Sequence, residues 1–163
     1  MATPTYEFID STTLTSSASS VTFSSIPTDG TYRDLVLVIG MQTTGMQELN
    51  LRFNGDTGNN YSFVGSKGAG STAAASSAID QPYWIVPYND SAVWDSILQI
   101  EFLDYATTDK HKTIIGRHDA GATVTRAVAC TWGSTSAINT ILITAFSGTY
   151  DAGSTFALYG IAG

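Results

Sequence analysis

One cysteine, seven basic residues and four prolines are all that this chain of 163 residues holds of those types, and each scarcity closes off a class of protein. A lone thiol, Cys130, cannot make a disulfide within the chain, so the fold does not rely on one. It lies in AVACTW, an alternating apolar stretch where cysteine is expected to act as a small hydrophobe and not as a nucleophile. Charged residues make up 13% of the chain, about half the usual ~25%, and Ser, Thr, Ala and Gly take their place. The net charge is −7, which repels phosphate backbones and anionic bilayers, so neither nucleic acid nor a membrane is expected as a partner. No apolar run nears the ~20 residues of a membrane span. The longest, LVLVIGM (35–41), has strand length. The first residues, MATPTYEF, carry neither a basic n-region nor an apolar h-region, and no signal peptide is expected.

What is present reads as strand after strand. ELNLRFN (48–54) places Leu49, Leu51 and Phe53 on one face and Glu48, Asn50, Arg52 and Asn54 on the other. WDSILQIEFLDY (94–105) turns Leu98, Ile100 and Phe102 inward and Gln99 and Glu101 outward. LVLVI (35–39) is continuously apolar, the mark of a strand covered on both faces. YWIVPY (83–88) contains Pro87 and belongs at a sheet edge. Similar patterns recur to the last residues, punctuated by Gly, Asp, Asn and Ser. The pattern predicts about ten strands, no helix, and an all-β antiparallel β-sandwich with jelly-roll topology. The length suits one domain over 1–163, able to bury about two-thirds of its unfolded surface. Two departures from regularity are expected: an N-terminal arm over 1–5, and a flexible loop over 67–80, where KGAGSTAAASSAID is dominated by small residues. The basic cluster of Lys110, Lys112 and Arg117 reads as a solvated strand face or turn.

The densest chemistry lies in LRFNGDTGNNYS (51–62). Asn54, Asp56, Asn59, Asn60 and Tyr61 form a candidate contact loop or glycan site, with Asn and Asp to hydrogen-bond hydroxyls and Tyr61 as an aromatic platform. The plainer reading is a tight corner, since Asn-Gly and Asn-Asn tolerate positive φ and bond to their own backbone. Calcium is disfavoured, because one carboxylate among these residues is far from the six to eight oxygens that ion takes. The Walker pattern fails at GSKG (65–68). His111 and His118 lack the cysteines of a zinc site, and His118 and Asp119, adjacent on a strand, face opposite ways. There is no G-x-S-x-G elbow. No catalytic residue, cofactor or metal is therefore expected, and the chain reads as not an enzyme.

Four stretches together, FIDSTTLTSSASSVTFSSIP, TYRDLVLVI, LNLRFNGDTGNNYS and the closing GSTFALYGI, resemble small virion proteins of tailed bacteriophages, especially those of aquatic and cyanobacterial hosts. The resemblance implies a non-catalytic structural protein, most of all a capsid cement or decoration protein. Its implied partners are the major capsid protein and further copies of itself, as a homotrimer. It also implies assembly in the reducing host cytoplasm, where one cysteine and no disulfide fit. The alternative within the same group is a tail or fibre component whose β-sandwich recognises host glycans through residues 54–61.

Overall fold

The structure, a computed structural model, describes residues 5–43, 49–86, 96–119 and 124–163. The described residues form twelve strands and no helix. Eight build one sheet: β1 (Tyr6–Thr13), β3 (Tyr32–Met41), β5 (Tyr61–Ala69), β6 (Thr72–Gln81), β8 (Ser96–Leu103), β9 (Lys112–Asp119), β10 (Val124–Trp132) and β12 (Thr155–Ala162). Their order is β1-β12-β3-β8-β9-β10-β5-β6. The other four, β2 (Ser20–Phe23), β4 (Leu49–Phe53), β7 (Trp84–Val86) and β11 (Ile141–Ala145), form a smaller sheet in the order β2-β11-β4-β7. Every pairing is antiparallel. The expected antiparallel β-sandwich is present, with sheets of unequal width.

The core follows from the alternation. Leu35, Leu37 and Ile39 of β3 and Leu98, Ile100 and Phe102 of β8 meet Leu49, Leu51 and Phe53 of β4 and Ile141 and Ile143 of β11, all fully buried. Each such side chain contributes about 1.5–3 kcal/mol relative to exposure. Trp84 of β7 lies on Gly116 of β9, where a Cβ would stand 3.3 Å from the indole. A glycine thus makes room for the largest side chain of the small sheet. In β3 the continuous apolar run is explained, since Val36, on the opposite face from Leu35, is also buried. β7 lies at an edge of its sheet, as the proline-bearing segment suggested. Pro87 itself lies outside the described residues, as do residues 1–4 of the expected arm, Glu48, Tyr88 and Trp94.

Two expectations are corrected. Residues 67–80 are not a loop: they complete β5 and most of β6, paired from Ala69↔Thr72 to Phe63↔Ala78. The two-residue connection has Gly70 at φ +55, with no positive φ at Ser71, as in a type II′ hairpin turn. Small residues hid the alternation, because a strand with nothing to bury shows no apolar period. The basic cluster, in turn, is not one solvated face. Lys112 is 1% exposed, and its ammonium donates to the carbonyls of Thr107 (2.5 Å), Lys110 (3.0 Å) and Thr135 (3.3 Å). Burial lowers its pKa from the usual lysine value. His118 is buried on the same side of β9, and Arg117 faces outward between them.

Candidate functional site

The segment 54–61 carries the chain from β4 of the small sheet to β5 of the large one. Asn54 and Gly55 both have positive φ, +55 and +69, and the Asp56 N–H donates to the Phe53 carbonyl at 2.9 Å. This is the type I′ turn that Asn-Gly favours. The Asn54 side chain then ties the turn to the loop before β11. Its amide donates to the Ala137 carbonyl at 2.7 Å, and its oxygen accepts from the N–H groups of Asn139 (2.9 Å) and Thr140 (3.1 Å).

Asp56 organises the rest. One carboxylate oxygen accepts from the Gly58 N–H at 2.8 Å. The other accepts from the Asn60 amide at 2.9 Å and the Trp132 indole N–H at 2.7 Å. Partial burial pushes this carboxyl up, but the Trp132, Asn60 and Gly58 donors together outweigh it and hold the pKa below the ordinary value. Tyr61 is fully buried, and its hydroxyl accepts from the Phe53 N–H at 3.0 Å. Its ring stacks on Trp132 at 6.4 Å and lies 5.7 Å from Phe53. Burial pushes its pKa up to about 12.

Of the five residues singled out in the sequence, four are therefore structural. Asn54, Asp56 and Asn60 spend their side chains on internal hydrogen bonds, and Tyr61 is a core residue that cannot serve as a platform for a sugar. The glycan reading loses its aromatic anchor for that reason. Asn59 alone projects without such a bond, on the exposed surface of the turn. Cys130 is 2% exposed and its thiol is pushed up by burial, which leaves it an inert packing residue. His118 is buried on the inner face, whereas the exposed Asp119 accepts from the Ile97 N–H at 3.2 Å, so the two side chains diverge.

The surface with unassigned capacity is the outer face of the eight-stranded sheet. Registers align Ser77, Val64, Ala129, Ile115, Glu101, Val36, Tyr159 and Phe8 in one row across all eight strands. Seven large hydrophobic side chains stand exposed among the described residues, and six of them, Tyr6, Phe8, Val64, Ile79, Ile97 and Ile115, fall on this face. Such a concentration differs from the scattered apolar residues of an ordinary surface. The depressions on the face are open and shallow, one bounded by Tyr6, Val36, Val38, Gln99 and Tyr159, another by Val64, Ser66, Ala75, Ile115, Ala127 and Ala129. At its centre Arg117 donates to Gln99 at 2.9 Å and lies 3.8 Å from Glu101, a locally neutral patch. The sequence did hold a sign of this face. Ile114-Ile115 and Ile97-Leu98 put apolar residues on both sides of strands otherwise read as one-sided.

No known protein family matches the chain, and no curated protein does. Among solved structures it is similar to an exo-inulinase from Aspergillus awamori, at 13% identity and a TM-score of 0.37, over 95% of this chain and 29% of that one. It is similar to Scytalido-glutamic peptidase at 8% identity and a TM-score of 0.27, over 91% and 66% of the two chains. A third similarity is to an alginate lyase from Aplysia kurodai, at 10% identity and a TM-score of 0.26, over 82% and 70%. The chain spans less than a third of the length of the inulinase. These likenesses are too slight to bear on activity.

Proposed function

We propose that this chain is a non-enzymatic structural protein of a bacteriophage virion, a capsid cement or decoration protein that stabilises the head by docking on the major capsid protein lattice. The observation that carries the reading is the outer face of the large sheet. It is broad, shallow and apolar, with Arg117 set beside Glu101 near its centre, in a chain whose net charge is −7. A surface of this kind suits contact with another folded protein better than capture of a small molecule, which favours a deep pocket. The resemblance of the four quoted stretches to small virion proteins names the kind of partner.

Two measurements test it. Quantitative mass spectrometry of purified virions is expected to find the chain in a simple ratio to the major capsid protein; a few copies per particle contradict a lattice role. In reconstitution on heads lacking the protein, Ile115→Glu is expected to weaken binding at least tenfold. An unchanged affinity overturns the outer face as the docking surface.

A further inference from the structure

A β-sandwich of this kind has four sheet edges, and exposed edges are sites of unwanted pairing that proteins ordinarily protect. Three are protected here. β2 and β7 have four and three residues, too short to template a partner. β1 carries Glu7 and Asp10 and a register shift between Phe8 and Asp10, a bulge that turns the edge aside. The fourth, β6, is different. It has ten residues, and from Thr72 to Ile79 it contains no charge, no proline and no register shift before its far end. Residues 72–77 are exposed on both faces. No described strand lies beyond it.

We infer that this edge pairs antiparallel with the same edge of a second copy, about a two-fold axis near Ala75, so that two eight-stranded sheets become one. In a two-residue hairpin closed by Ala69 and Thr72, alternate residues point their backbone groups away from β5, which places the N–H and C=O of Ala73, Ala75 and Ser77 on the free edge. The regular stretch 72–78 offers about 24 Å of such edge. Charge permits this occupant. Two chains of net charge −7 repel over most approaches, but this edge is neutral, and a two-fold near Ala75 sets Asp80 opposite Gly70 and not opposite a second carboxylate. Side chains agree. Strand addition of a foreign peptide draws its specificity from pockets for alternate side chains, and from Ala73 to Ala78 β6 offers only methyl and hydroxymethyl groups. An identical edge matches those in height along its whole length. The pairing also joins the two outer faces, each with Val64 and Ile79 exposed near its β6 edge, into one surface across the joint.

This pairing does not rest on the virion reading. A homotrimer is compatible with it only as two trimers joined at β6. The test is sedimentation equilibrium of the full chain beside Ala75→Pro and Ala75→Lys. Proline at 75 removes an N–H that faces the free edge, a position where an edge strand accepts it, and lysine adds a repelling charge. The wild type is expected at an even multiple of 17.2 kDa, and each variant at half the wild-type mass with an unchanged far-UV circular dichroism spectrum. If the proline variant loses its spectrum, the lysine variant decides. A monomeric or trimeric wild type, or variants that keep the wild-type mass, overturn the pairing and leave head binding to its own experiments.

Discussion

The corner at 54–61 and the hairpin of β5 and β6 are near neighbours in sequence and opposites in chemistry. The corner is crowded with amides, a carboxylate and a phenol, and it turns nearly all of them inward. Asp56 collects three donors, Asn54 bridges to the 137–140 loop, and Tyr61 sits in the core. The hairpin tip has almost nothing to offer but backbone, and it leaves one edge of that backbone unpaired among the described residues. Polar richness in a sequence thus marks a place where hydrogen bonds are needed, which here means a chain crossing between two sheets. Blandness marks a place where another surface can come close. A functional reading follows from asking where each donor and acceptor is spent.

The contrast can be broken by substitutions. Tyr61→Ala is expected to have the largest effect, a loss of about 3–5 kcal/mol, because it empties an aromatic site packed on Phe53 and Trp132; urea unfolding checks it, and a loss within error would mean the corner is not part of the core. Asp56→Ala is expected to cost about 1.5–3 kcal/mol, since the Trp132 indole, the Asn60 amide and the Gly58 N–H lose a charged acceptor together. Its pH dependence has a definite sign. The folded pKa lies below the ordinary 3.8, so the contribution is complete above that value and is lost as pH falls through the folded pKa. The gap between wild type and variant should therefore be full at neutral pH and close in acid. In the hairpin, Ala74→Thr should change the stability of the dissociated chain by no more than about 0.5 kcal/mol, because the side chain is exposed and buries nothing. A loss as large as that of Asp56→Ala would erase the distinction between the two regions.

Much of the fold was legible in the residues, for reasons that also explain what was not. Leu49, Leu51, Phe53 and Leu98, Ile100, Phe102 declare their buried face because the sandwich covers one side of each strand, and period two follows. Asn54-Gly55 announces its turn because few other pairs accept two positive φ values. The partners of that turn were not legible. Trp132 reaches Asp56 from 76 positions away in the chain, and no local pattern encodes such a meeting. The type of Lys112 suggests solvation, whereas three backbone carbonyls gather around its ammonium only once the strands are in place. β6 shows no strand pattern in its residues because its strand state comes from pairing with β5 and not from burial. The outer face escaped for a related cause: alternation identifies one buried side and is silent about apolar residues on the other.

Residue-resolved amide hydrogen exchange, followed over a dilution series, tests the central contrast most directly. The Phe53 and Gly58 amides, held by Tyr61 and Asp56, are expected to exchange slowly at every concentration. The amides of Ala73, Ala75 and Ser77 should exchange slowly only when the chain is concentrated and quickly when it is dilute. Fast exchange at the corner, or hairpin amides that ignore concentration, would contradict it.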